Sequence, residues 1–296
     1  MLRQTISLIT PPLVEPIALA DMKQHLRVDI CDDDGLIADL VATGRAAVEG
    51  YTRRALLTQE WLFKLDYFPG YELLYSARGY PAILLPKPPL QSLDSFNYVD
   101  VSGEVQTLEQ QTDYGVSTDL FYGYQLDPGN QSQPARLTPP WCRPWPPARR
   151  VPGAVMIDFW SGYCDGYRVS IVAGGSPQEL SALVMQGATF PADRDGKAIY
   201  ISGAGPQSSP YSGILSVDED GNGTISPPAA KALSNAVAFV GGFVPRPILL
   251  AIKLYVTHWY DRRGADAPPT AANATLAAQY PPGFENLLNG WVNRVS

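Results

Sequence analysis

The sequence predicts an α+β protein: a helical body that carries a β-strand and hairpin region, interrupted by a small all-β inserted domain. Three observations lead to that reading. First, Leu36–Arg54 and the stretch from Pro245 to Arg263 repeat apolar residues at the helical spacing of about 3.6. Second, short apolar runs bounded by Pro and Gly lie between them, which is the pattern of strands and turns. Third, residues 166–238 shift to Gly, Ser and alternating apolar positions. The division that follows is a body over 1–165, a β module over 166–238, and the body again over 239–296 with its long helix and tail.

The helices can be justified residue by residue. In PIALADMKQHLRV, Leu19, Met22 and Leu26 fall at helical spacing, so a short helix is expected within Pro16–Val28. The acidic run Asp32–Asp34 suits the start of the next helix, because carboxylates complement the N-terminal end of the helix dipole. In that helix Ile37, Leu40, Val41, Ala47, Val48 and Tyr51 share a face, and Gly44 on the same face leaves room for another backbone. In the last long helix Pro245 and Pro247 suit the first turn. Ile248, Ile252, Tyr255 and Trp259 form its stripe, and Arg262, Arg263 and Gly264 its stop.

Strands are expected at Glu60–Phe68, Ala82–Pro86, Ser92–Val99, Val105–Leu108 and Ala154–Trp160, with a hairpin turn at Asp100–Glu104. In the module they are expected near Ala198–Ser202, Gly213–Val217, Gly223–Ser226 and Ala236–Val240. Residues 134–152 are crowded with prolines around Trp141 and Trp145 and read as an extended linker.

Composition narrows the function. With 45% hydrophobic residues the chain builds a real core. Its 26 Gly and 28 Pro favour strands, turns and long loops over a helical bundle. The net charge of −7 argues against a DNA-coating surface, which needs clustered Lys and Arg, and leaves open a negatively charged wall that DNA slides past. Cys31, Cys142 and Cys164 match no zinc spacing and read as free thiols of a protein made in a reducing cytosol. The N-terminus is a poor signal peptide, and no apolar run is long enough to cross a membrane.

Motifs for chemistry are scarce. His25 and His258 have no companion at ligand spacing, so each reads as a surface or core histidine. The Ser202 context lacks the Gly of a nucleophile elbow. Gly203, Gly205 and Ser208, like Gly221, Gly223 and Ser226, give two-thirds of a dinucleotide fingerprint and precede no helix, so they read as turns. With 29 acidic residues a carboxylate pair can always be imagined, so it carries little weight. Tyr71, Tyr75, Tyr80, Trp141 and Trp145 read as packing residues before they read as a stacking surface. Arg143, Arg149 and Arg150 read as a solvated basic run.

DEDGNGTIS, residues 218–226, imitates the first part of a calcium loop, with Asp218, Asp220 and Asn222 alternating before Gly223. The twelfth position is Ala229 and not a carboxylate, and Pro227–Pro228 would interrupt a continuing helix or central strand. The expectation is a tight turn with Gly221, Asn222 and Gly223 at positive φ, and no metal.

The opening SLITPPLVEPIALADMKQHLRVD, with DDDGLIADLVATGRAAVEGYTRRALLTQEW after it, resembles the phage head–tail connector (adaptor) family of the gp6-like kind. The resemblance continues through LFKLDYFP, LLPKPPLQSLDSFNYVDVSGEVQTL and the element at Asp113–Val116. It resumes at VMIDFWSGY and VPRPILLAIKLYVTHWYDRRGA. The β module departs from that pattern and is similar to small β modules of phage tail and fibre proteins.

The resemblance implies a structural, non-enzymatic connector without cofactor or metal. It would form a homo-oligomeric ring, usually of twelve, under the portal protein at the head–tail junction of a virion made in a bacterial cytoplasm. The ring would extend the channel for DNA, without sequence-specific binding, and offer a platform to the next neck or tail-completion protein. Leu287, Leu288 and Trp291, apolar in a polar tail, are the candidate portal-docking residues, and packing back onto their own body is the competing expectation. The alternative functional reading is a tail-associated carbohydrate-binding protein or glycan-degrading enzyme acting through the β module.

Overall fold

The computed structural model describes residues 4–69, 82–111, 123–130, 133–140, 143–172, 180–185, 189–206, 209–262 and 280–293. The chain separates into two compact units. One comprises Met1–Pro11, Arg53–Gly162 and Asn293–Ser296, and the other Pro12–Thr52 and Tyr163–Val292.

The first unit is built from two sheets. Its strands are β1 (Gln4–Thr10), β2 (Gln59–Leu65), β3 (Ile83–Leu84), β4 (Leu90–Val99), β5 (Val105–Thr107), β6 (Glu109–Gln110), β7 (Gly123–Asp127), β8 (Arg136–Thr138) and β9 (Val155–Ser161). They assemble in the orders β1-β2-β9-β4-β5 and β3-β8-β7-β6. Strand β9 shows why the larger sheet packs on one face: Val155, Ile157 and Phe159 point inward, while Met156, Asp158 and Trp160 alternate outward. Opposite them stand Leu65 and Phe63 of β2 and Phe96 and Tyr98 of β4. These side chains share one core with Ile83, Leu137, Tyr124 and Trp145. Burying an aromatic ring of this kind is worth about 2–3 kcal/mol. By contrast β1, at the sheet edge, is exposed almost throughout.

Two local features hold the sheets. The β4–β5 hairpin turns on Asp100, whose carboxylate accepts the N–H groups of Ser102 at 2.8 Å and Gly103 at 2.9 Å. The Ser102 hydroxyl first, then the Gln106 side chain and the N–H groups of Glu104 and Ser102, hold Asp100 well below the usual carboxylate range, at about 2. After β9, Gly162 has φ +147°, and a Cβ there would stand 2.4 Å from the carbonyl carbon of Leu57. Only glycine fits both the conformation and the space.

The proline-rich stretch 134–152 is not the extended linker its composition suggests. It contains β8, and it carries Trp145 into the core, stacked on Phe68 at 5.0 Å with 8° between the planes. Prolines stiffen the segment and expose no unsatisfied N–H, so such a run can cross a core as well as a surface. Trp141, Tyr71, Tyr75, Tyr80 and the Asp113–Val116 element lie outside the described residues.

The second unit joins helices to a barrel. Its elements are α1 (Leu19–Leu26), α2 (Asp34–Thr52), β10 (Asp165–Val172), β11 (Leu180–Met185), β12 (Ala198–Ile201), β13 (Tyr211–Val217), β14 (Gly223–Ala229), β15 (Leu233–Val240), α3 (Arg246–Asp261) and α4 (Phe284–Leu288). The six strands close in the order β10-β11-β14-β13-β12-β15, with β15 pairing back onto β10. Val169, Ile171, Ile199, Ile201, Leu215 and Val240 fill the interior together with Tyr167, Phe190 and Tyr211. A barrel of this size is a packed core and not a pore.

Strand β14 runs through Pro227 and Pro228, against the expectation that they would break it. The ladder to β11 shifts register there, pairing Ala182 with Thr224 and then Leu180 with Ala229. The irregularity absorbs the missing donors.

Helices α2 and α3 pack where the sequence left space. A Cβ on Gly44 would lie 3.3 Å from both Ile252 and Tyr255. The buried stripe of α3 is Ile248, Ala251, Ile252, Tyr255, Val256 and Tyr260. Trp259, expected on that stripe, is 42% exposed. Its neighbour Tyr260 turns inward instead and donates its hydroxyl to Asp33 at 2.6 Å. Arg45 of α2 bonds Glu15 and Glu49, each at 2.8 Å, which ties the segment before α1 to the helix.

The predicted helical body with a β insert is therefore corrected. Among the described residues, fifteen strands in three sheets stand against four α-helices, and the protein is mostly β. Every one of those helices belongs to the same unit as the barrel. Six strands (β1, β6, β7, β8, β10 and β11) escape the sequence reading because alternation over a few residues is a weak signal beside a helical period sustained over four turns. Among the described residues no helix is long and apolar enough to cross a membrane.

Candidate assembly surfaces

The tail residues are split by α4. Leu288 and Phe284 are fully buried in the second unit. Phe284 stacks on Tyr280 at 4.6 Å and meets Tyr51 of α2 edge-on at 5.8 Å. Tyr51 also donates its hydroxyl to Asn289 at 3.0 Å, so the five-residue helix is held at both ends. Leu287 and Trp291 remain half-buried. The alternation along α4 thus gives Leu288 an inward role and leaves Leu287 and Trp291 partly available.

A second surface was not visible in the sequence. An apolar cleft of about 250 Å³ opens where β12 and β15 meet the start of α3. Tyr200, Ile201, Phe239, Phe243, Val244 and Leu249 line it. Phe243 is 55% exposed, and its ring lies 5.7 Å from that of Tyr200. Arg246 stands in the wall of this cleft and of an adjoining one that reaches Gln24 and Lys253. Arg246 and Lys253 lie about two turns apart on α3, so they share a side. Among the described residues neither makes an ion pair. Asp21, at the rim, accepts the Ser202 hydroxyl, which joins α1 to β12.

The stretch DEDGNGTIS is a turn. Its first carboxylate, Asp218, accepts the N–H of Asn222 at 2.7 Å and of Asp220 at 3.1 Å, and the Asn222 side-chain amide at 3.0 Å. Those bonds, the Asn222 side chain first, hold Asp218 below the usual carboxylate range. Only Gly221 of the expected three adopts positive φ, at +78°. Gly223 is needed for space, since a Cβ there would stand 2.6 Å from the Phe190 ring. Among the described residues, no group of three or more His, Cys, Asp or Glu side chains gathers to hold a metal.

The remaining candidates fall on the surface or in the core. Cys31 is exposed, Cys164 is buried and pushed up to about 12 by that burial, and Cys142 lies outside the described residues. Arg149 and Arg150 are exposed. Burial lowers the pKa of His258 first, with Arg262 adding to it, and burial followed by Lys253 lowers that of His25.

The described residues thus form a two-sheet unit and a six-stranded barrel carrying helices. The chain shares its fold with a chain of the neck of an empty gene transfer agent particle computed with C6 symmetry. The TM-score is 0.50 at 17% identity, over 99% of this chain and 97% of that one. A chain from the neck of the native particle, computed with C12 symmetry, aligns with TM-score 0.49 at 17% identity over 99% and 97% of the two chains. No protein-family model and no curated protein matches the sequence.

Proposed function

We propose that this protein is a structural, non-enzymatic neck component of a tailed phage or phage-like particle. It forms a closed homo-oligomeric ring under the portal, extends the DNA channel and docks the next neck or tail protein. The observation that carries this reading is an end-to-end fold likeness, 99% of this chain on 97% of a neck chain, which includes the barrel as well as the two-sheet unit. The sequence resemblance to head–tail connectors supports it independently. A symmetric neck favours a ring whose order is six or a multiple of six, and twelve subunits is the number the connector resemblance implies.

Physical chemistry fits the role. A subunit of net charge −7 repeated around a channel repels the DNA backbone and does not trap it during passage. Leu287 and Trp291 form the portal-docking contact, while Leu288 holds α4 to its own subunit. The test is electron microscopy of particles carrying a tagged copy of the chain, together with purified chain mixed with its portal. Ring density at the head–tail junction is expected, and Trp291→Ala is expected to weaken portal attachment without changing the melting temperature by more than a few degrees. Tag density elsewhere in the particle, or turnover of a polysaccharide by the purified chain, overturns the reading.

A further inference from the structure

We infer that the cleft at the start of α3 is the socket of a head-to-tail contact, and that its occupant is the α1–α2 loop of a second copy of this chain. The inference rests on the ring reading above and names the surfaces that close the ring. Both halves are present in one chain. The socket has an apolar floor at Tyr200, Phe239 and Phe243 with Arg246 in its wall, and Lys253 lines the adjoining cleft; neither cation makes an ion pair among the described residues, and Asp21, which lines both clefts, accepts the Ser202 hydroxyl.

The plug is the loop Asp29-Ile30-Cys31-Asp32. Ile30 is 59% exposed, an apolar residue flanked on either side by exposed carboxylates. Asp29 and Asp32 likewise make no ion pair there, while the next two carboxylates are already engaged. Asp33 accepts the Tyr260 hydroxyl, and Asp34 pairs with Lys23 at 2.6 Å. Those bonds hold the loop in shape, so little ordering entropy is lost when it docks. None of its residues lines the cleft of its own chain, which leaves the loop to meet the cleft of another copy in the contact inferred here.

The match is specific in kind. One exposed aliphatic side chain meets an aromatic floor on which Phe243 is exposed and Tyr200 and Phe239 are half-buried, and two carboxylates meet two cations set about two helical turns apart. An interface that joins different patches on identical chains is heterologous, and it closes into a ring when its rotation divides a full turn. Charge pairs at such a rim select the partner and register, while Phe243 and Ile30 supply the buried area.

The experiment is analytical ultracentrifugation or mass photometry of the full chain across a concentration series. It compares the parent with Arg246→Glu/Lys253→Glu, with Asp29→Lys/Asp32→Lys, and with the fourfold variant. Each double variant is expected to weaken self-association about tenfold or more, and the fourfold variant to recover most of it, since close interfacial charge pairs couple by more than about 1.4 kcal/mol. Ile30→Ser gives the same loss without changing charge, and thermal melts check that every variant folds. Unchanged association in both double variants, or no recovery in the fourfold variant, overturns the inference. So does a parent that stays monomeric at every concentration. A ring seen in particles built from the double variants leaves the neck reading standing and removes only this contact. Variants that self-associate normally but fail to enter particles assign the cleft to a different neck protein and also overturn it. Absence of any ring in parent particles refutes the functional reading itself.

Discussion

The two units of this protein solve the same packing problem by different means. In the two-sheet unit an aromatic cluster closes the core: Phe68, Phe96, Tyr98, Tyr124 and Trp145 are all buried in one hydrophobic cluster. In the barrel unit, polar links attach the helices: Arg45 to Glu15 and Glu49, Tyr260 to Asp33, Asp21 to Ser202. The difference follows from geometry. A sheet presents a broad apolar face that another sheet can cover, whereas a helix buries only one apolar stripe, and polar bonds beside that stripe fix where it lies. The exposed cleft and the half-buried tail residues Leu287 and Trp291 belong to the barrel unit.

The sharpest break of this comparison is Gly162→Ala in the sheet unit. The left-handed conformation and the 2.4 Å approach to Leu57 act together, so a loss of about 3–5 kcal/mol is expected from chemical denaturation. Next comes Trp145→Ala, which removes the ring stacked on Phe68 and leaves a cavity. A loss of about 3–4 kcal/mol is expected, with a change in near-ultraviolet circular dichroism.

In the barrel unit Arg45→Ala removes the bonds to Glu15 and to the buried Glu49 and is expected to cost about 1–3 kcal/mol. Arg45→Ala/Glu49→Gln should recover part of that loss, which a purely steric role for Arg45 would not allow. At Gly44 two effects oppose each other. Alanine gains about 1 kcal/mol of helix propensity but meets Ile252 and Tyr255 at 3.3 Å, so a net change within about 1 kcal/mol is expected, while Gly44→Leu destabilises by more.

The smallest effect is the pH dependence of the β4–β5 hairpin. Asp100 is held at about 2 in the folded chain against an ordinary value of 3.8. Its bonds therefore stabilise the hairpin above pH 3.8 and are lost as pH falls from there towards 2. Amide exchange at Ser102 and Gly103 should speed up through that window in the parent and be fast throughout in Asp100→Ala.

Much of the secondary structure was legible, and the reasons are local. Helices α2 and α3 announce themselves by periods sustained over 19 and 16 residues. Gly44 marked their contact because a missing side chain on an apolar face has few other uses. Composition alone, rich in Gly and Pro, leaned towards strands and turns and agreed with the mostly β architecture. Weighting the helices as the body misread the proportion, because each helix outshouts several strands of two to five residues. Trp145 was legible as a packing residue, but its proline-rich setting disguised which core it serves.

The sequence by itself determined where the long helices run, that DEDGNGTIS turns the chain without a complete calcium-ligand set, and that the tail holds apolar residues in a polar context. Those properties depend on neighbours along the chain. Tertiary structure alone decided that six strands close into a barrel, that Leu288 points inward while Leu287 and Trp291 remain partly exposed, and that Phe243 and Arg246 share a cleft with Tyr200. Those depend on pairing between residues dozens of positions apart. Such pairing is set by register and by competition for buried surface, which no local window of sequence contains.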